Sequence, residues 1–174
     1  MPLNNSSEGI QSAIMAALPS KKALKDELVT ILRTELENLE RAHQATKEAA
    51  THEEAKPEND KDTRALEQSY LARGQALRVE DLRTGLSDVS AMSLRDFADQ
   101  PIALGALVQV EEDDRTLYLF ITAYGGGNTL ASGQVQVVTT KSPLGRALLG
   151  KREGDESEVK LTGKTRELSI VRVY

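Results

Sequence analysis

Pro57 and the acidic residues around it divide what otherwise reads as one very long run of helix. From Lys21 onward, Leu24, Leu28, Ile31/Leu32, Leu36, Leu39, Ala42, Thr46 and Ala49 recur at three- and four-residue steps. That is the stripe of a helix packing on one face. Thirty such residues at ~1.5 Å each would span roughly 45 Å. Pro57 lacks the N–H that a helix interior needs and ends any helix arriving from this side. A second helix is expected to begin near Asp60 or Asp62, with acids at its positive end. It runs through Leu66, Tyr70, Leu71, Ala76, Val79, Leu82 and Leu86 to about Val89. Two helices of this length bury little separately, and an antiparallel coiled-coil hairpin over 21–90 gives them a shared seam.

The hairpin's turn, 53–62, carries Glu53, Glu54, Glu58, Asp60 and Asp62. Carboxylates at the tip of a narrow hairpin reach sites that a globular surface cannot, and they are hard oxygen ligands suited to Mg²⁺. The plainer alternative is a solvated, polar connection between helices. Gly74, inside the second helix, costs ~1 kcal/mol against Ala, which points to close packing against the first helix. Arg64, Arg73, Arg78 and Arg83 lie along the same helix. They read as a solvated face paired with acids such as Glu67, Glu80 and Asp81, or else as a strip that guides a nucleic-acid backbone.

On either side of this hairpin the pattern changes. Residues 1–20 read as a flexible N-terminal segment, with 1–9 polar and expected to be loose. Residues 10–18 suit a short amphipathic helix stopped by Pro19, after which Ser20 can cap the next helix. Residues 91–103 read as a linker. Beyond it, 106–110, 116–124 and 134–140 are strand-like, and 156–161 and 166–173 alternate polar and apolar residues. One short helix interrupts them at 142–149. Its signals are Ser142 as N-cap, Pro143 at the first position and Gly150 just past the end. The fold class is therefore α+β: a coiled-coil hairpin followed by an antiparallel β domain with one short helix over 104–174.

Composition narrows the chemistry. Aromatics make up 3% of the 174 residues and there is no Trp, so a large pocket lined with rings is not expected. The net charge of -5 argues against a chain that coats nucleic acid. Without Cys there is no disulfide, Cys-based zinc site or Cys nucleophile. His43 and His52, the only histidines, do not form a His-Glu-x-x-His metal site. No apolar run is long enough for a membrane span, and no basic residue precedes 13–18 as in a secretory signal. A cytoplasmic, soluble protein is expected. Gly125-Gly126-Gly127-Asn128 lacks a phosphate loop's ending and reads as a hairpin turn. Gly163-Lys164-Thr165 has Glu158 where a Walker A loop needs Gly, and a strand follows it. Ser7, Ser87 and Ser90 have no Gly-x-Ser-x-Gly context.

The segment Ser142-Pro143-Leu144-Gly145-Arg146-Ala147-Leu148-Leu149-Gly150-Lys151, followed by Glu153-Gly154-Asp155, resembles the C-terminal domain of the Gre transcript-cleavage factors (GreA/GreB). The ending Glu167-Leu168-Ser169-Ile170-Val171-Arg172-Val173-Tyr174 looks like that family's closing strand. The resemblance covers roughly 104–174 and implies an FKBP-like fold there. In the first half it implies a hairpin that enters the secondary channel of RNA polymerase. At the hairpin's tip the family carries an Asp-x-x-Glu-Asn motif. Here Glu58-Asn59 matches its second part, Gly74 falls on a family Gly, and the Asp position is Ala55.

The resemblance implies an accessory factor, not an enzyme, with RNA polymerase as partner and, indirectly, the RNA 3′ end and template complex. It implies a monomer, with no membrane partner. The cofactor is Mg²⁺ shared with the polymerase active site, directed by Glu58 with Glu54 or Asp60 as the second carboxylate. Ser142, Pro143, Arg146 and Lys151 would meet the polymerase at the channel rim. Ala55 motivates an alternative, a non-cleaving modulator or inhibitor in the same channel. The FKBP-like fold alone suggests a peptidyl-prolyl isomerase, for which the domain offers only Tyr118, Phe120, Tyr124 and Tyr174 as aromatics.

Overall fold

A computed structural model describes residues 18–53, 63–161 and 163–174. The element order is α1 (Lys21–Glu53), α2 (Thr63–Ala91), β1 (Leu107–Glu112), β2 (Arg115–Thr122), β3 (Thr129–Leu130), β4 (Val135–Thr139), α3 (Pro143–Leu148), β5 (Glu156–Leu161) and β6 (Lys164–Val173). The expectations for 1–17, and for the turn between the two long helices, lie outside the described residues. Two compact units divide the chain: Val29–Ala91, and the residues up to Leu28 together with Met92–Tyr174.

In the helical unit the burial follows a strict three-four step. Leu32 is fully buried and Leu36, Leu39, His43 and Thr46 continue its line, half-buried. On α2 the line is Ala72, Gln75, Val79, Leu82, Leu86 and Val89, with Val79, Leu82 and Val89 its most buried members. This is heptad spacing, and it corrects three expectations. Ala42 and Ala76 are exposed, and the seam passes through His43 and Gln75 in their place. Tyr70 and Leu71 face outward, at 65% and 57% exposure, because stepping back from Val79 lands on Ala72. Gly74 is also exposed: a Cβ there would meet nothing within 4 Å, so packing against α1 does not explain it. The buried glycine of α2 is Gly85.

Two of the four arginines of α2, Arg78 and Arg83, are paired with acids, largely across the hairpin. Arg83 reaches Glu40 at 2.6 Å and Glu80 at 2.9 Å, and Arg78 lies 3.7 Å from Glu35. All are exposed, so each pair contributes little to stability.

The other unit is built on a six-stranded sheet in the order β3-β4-β2-β1-β6-β5. Every neighbouring pair is antiparallel except β2 and β4, which run parallel. The sheet is therefore mixed, where a purely antiparallel one was expected. A parallel pair needs a crossover of about a dozen residues, and 123–134 supplies it. The turn at Gly125–Asn128, where Asn128 Nδ2 donates to the Gly125 carbonyl at 2.8 Å, opens that crossover and does not close a hairpin on β2. The hairpin comes later, between β3 and β4, with Ala131 and Ser132 in the left-handed region.

Alternation along the strands sends side chains to both faces. On one face Val108, Val110, Leu119, Ile121, Val138, Leu168 and Ile170 pack with Leu148 of α3 and with Phe97 and Ile102. The last two come from the stretch read as a linker. On the other face Leu107, Tyr118, Phe120, Leu130, Val135 and Val137 are equally buried. The first turns of α1 serve this unit. Ser20 caps them, its Oγ accepting from Ala23 N at 3.2 Å, and Leu24 and Leu28 are fully buried. Glu27 accepts from the Ala131 N–H at 3.0 Å, and Lys25 Nζ donates to the Met92 carbonyl at 2.8 Å. Arg166 of β6 and Glu112 at the end of β1 form a bidentate pair at 2.5 and 2.6 Å, and that hydrogen bonding raises the Arg166 pKa.

His43 Nδ1 and Gln75 Oε1 are buried without a hydrogen-bond partner, a cost of about 1–3 kcal/mol for each such atom. Changing both residues to Leu should stabilise the helical unit by on the order of 1–2 kcal/mol, read as a higher midpoint in urea unfolding followed by helical circular dichroism.

Candidate functional site

Short helices hold their shape only when both ends are tied, and α3 is tied at each. Ser142 is extended, with φ -70° and ψ 157°. Its Oγ accepts from the Gly145 N–H at 3.0 Å and donates to the Thr139 carbonyl at 2.8 Å, so one hydroxyl fastens the helix start to the end of β4. Pro143 follows at the first helical position, where its missing N–H costs nothing. At the other end Gly150 adopts φ 78°. Its N–H reaches the Ile102 carbonyl at 2.9 Å, and Ile102 N donates back to the Lys151 carbonyl at 2.8 Å. Ser157 Oγ adds a bond to the Ala147 carbonyl at 2.8 Å.

Gly145 is there for space. A Cβ on it would lie 2.0 Å from the Thr139 carbonyl oxygen and 2.8 Å from the carbonyl carbon. Only a bare α-carbon lets the helix come this close to β4, and with it Leu148 drops fully into the core while Leu144 and Ala147 pack beside it.

These ties leave Pro143, Arg146 and Leu149 exposed at three-residue steps along one side of the helix. The Arg146 guanidinium donates to the Lys141 carbonyl at 2.7 Å, which fixes its direction while leaving its charge without a carboxylate in that bond. Lys151 is half-buried and Ser142 is committed to its capping bonds. Of the four residues expected to meet a partner, Pro143 and Arg146 thus form the exposed part and Ser142 their support. Sequence reasoning passed over two others. Leu149 and Leu104 are the large apolar side chains of this unit with substantial exposure among the described residues, at 37% and 40%. The signal was present in Leu148-Leu149, since adjacent positions on a helix cannot both face one core. A rigid helix edge with an arginine between apolar groups suits docking onto a protein surface carrying carboxylates.

The residues expected to direct the metal, Glu58, Glu54 and Asp60, lie outside the described residues, as does Ala55. Of the rings considered for proline isomerisation, Tyr118 and Phe120 are buried in the sheet. Tyr174 lines a cleft of about 690 Å³ with Lys21, Arg95, Asp96 and Arg172. There burial lowers the Lys21 pKa against the opposing pull of Asp96. Burial also raises the Tyr174 pKa, partly offset by the Arg172 guanidinium. No described helix is long and apolar enough to cross a membrane.

Comparison with known proteins gives this geometry a context. Residues 98–174 match the family model for the C-terminal domain of the transcription elongation factors GreA/GreB. The chain is 31% identical over 163 residues to transcription elongation factor GreA of Halorhodospira halophila, covering 93% of this chain and 98% of that protein. It is 26% identical over 163 residues to transcription elongation factor GreA of Desulfotalea psychrophila, covering 92% and 94%. Among solved structures, GreA factor homolog 1 (Gfh1) of Thermus thermophilus aligns over 84% of this chain and 94% of its own, at 22% identity and a TM-score of 0.37.

Gly145→Ala should destabilise the sheet-bearing unit by at least about 2 kcal/mol, since backbone must move to admit the methyl group. Thermal unfolding followed by tyrosine fluorescence would show the loss.

Proposed function

Because the chain belongs to the GreA/GreB family of transcription elongation factors, we propose that it binds RNA polymerase through the secondary channel and promotes cleavage of backtracked RNA. The observation that carries this reading is the length of the match to a GreA protein, 163 residues at 31% identity with both chains covered almost end to end. On this reading the factor works in the cytoplasm as an accessory, and the reaction centre belongs to the polymerase.

The exposed edge of α3 meets the channel rim. Arg146 faces a carboxylate there, Pro143 and Leu149 bury their apolar surface, and Lys151 lies at the border. The acidic turn of the hairpin is carried to the active site. Glu58, with Glu54 or Asp60 beside it, supplies carboxylate oxygens toward a Mg²⁺ shared with the polymerase. Such an ion activates the attacking water and stabilises the leaving oxygen in phosphodiester hydrolysis. The protein's own residues dock, orient and donate oxygens.

A second reading is a non-cleaving occupant of the same channel. Ala55, standing where the family motif has Asp, favours it, because an absent carboxylate weakens the grip on a hard cation.

A transcript-cleavage assay on stalled complexes separates the two. Cleavage is expected from the unaltered chain, with Glu58→Gln abolishing it and Glu54→Gln weakening it more than Glu53→Gln, while binding persists. Retained binding without cleavage at saturating factor would establish the second reading.

A further inference from the structure

The outer side of α2 carries an apolar patch that neither the seam nor the α3 edge explains. Tyr70, Leu71 and Leu77 are 65%, 57% and 65% exposed. Tyr70 and Leu77 are seven residues apart, two turns of helix, and so share one line. Gly74 falls between them and Leu71 borders the same area. A Cβ added at Gly74 would meet nothing within 4 Å. The glycine therefore carries its helix penalty with no return inside the chain. What it does create is a strip of bare backbone flanked by a phenol ring and two leucines: a shallow notch. Glycine at such a place lets a second backbone or a bulky side chain approach closely. The borders are charged, with exposed Arg73, Glu67 and Asp81 and with Arg78 beside Glu35.

We propose that Tyr70, Leu71, Gly74 and Leu77 form a docking face on the hairpin for the wall of the polymerase channel, which seats an apolar side chain in the notch at Gly74. This rests on the channel-binding reading above. The size of the patch selects this occupant over a second copy of the chain. Taking about 200 Å² for a fully exposed large side chain, the three groups offer on the order of 350 Å². A stable homodimer buries about 800 Å² on each partner. The patch is too small to hold two copies together, and it fits one segment of a longer interface with a large partner.

The test measures binding of the full-length chain to core RNA polymerase for the unaltered protein, Gly74→Leu and Leu77→Gln. Gly74→Leu fills the notch from open space with a better helix former, so its helical circular dichroism melt should stay level or rise. Leu77→Gln changes an exposed side chain. Each should weaken binding by about tenfold or more. Equal binding by all three, at unchanged fold, overturns the docking face and leaves the channel-binding reading standing. No binding by the unaltered chain overturns both. A dimer in sedimentation that Gly74→Leu dissociates would make the occupant a second copy and also overturn the proposal.

Discussion

A sheet whose strands are apolar on both faces cannot stand in water with either face open. That constraint organises the sheet-bearing unit. One face is closed by α3, Phe97 and Ile102. The opposite face, with Leu107, Phe120, Leu130 and Val135 buried, is served by the opening turns of α1. α1 therefore does two things in succession. Leu24 and Leu28 belong with the sheet, and from Leu32 onward the same periodic stripe belongs with α2. A continuous row of leucines in the sequence conceals that change of partner, which is why the hairpin was expected to begin at residue 21.

What was legible was local. The bounds of α3 follow from Ser142, Pro143 and Gly150, three residues whose preferences act within one turn of chain. The strand at 156–161 was placed by alternation alone. The parallel pairing of β2 with β4 was not legible, because nothing near either strand records which neighbour it will find across a crossover. The seam of the hairpin shows a subtler failure. Tyr70, Leu71 and Ala76 were chosen for being apolar, whereas the three-four step from Val79 and Leu82 selects Gln75 and Ala72, a polar residue and a small one. Phase outranked hydrophobicity.

The candidate site divides in the same way. The α3 edge is held by a cap, a proline and a glycine that the sequence displays openly. Its exposed side includes Leu149, which looks like an ordinary core residue until the helix direction is known. Gly145 links the two levels: its absent side chain lets α3 press against β4, and that contact sets where Arg146 points. The acidic turn stands on sequence and family alone.

The position of β6 has a consequence for the order in which the protein assembles. β6 lies between β1 and β5, and Tyr174 exchanges backbone hydrogen bonds with Leu107. β1 therefore waits for a strand synthesised more than fifty residues later. The helical unit, whose contacts join neighbouring helices, can form while β5 and β6 are still inside the ribosome. During that interval β1 shows an unpaired edge and Val108 and Val110 lack part of their cover, so newly made chain is most prone to aggregation then. Slow steps in refolding should belong to the sheet, and the hairpin should be the first part to acquire protection from hydrogen exchange.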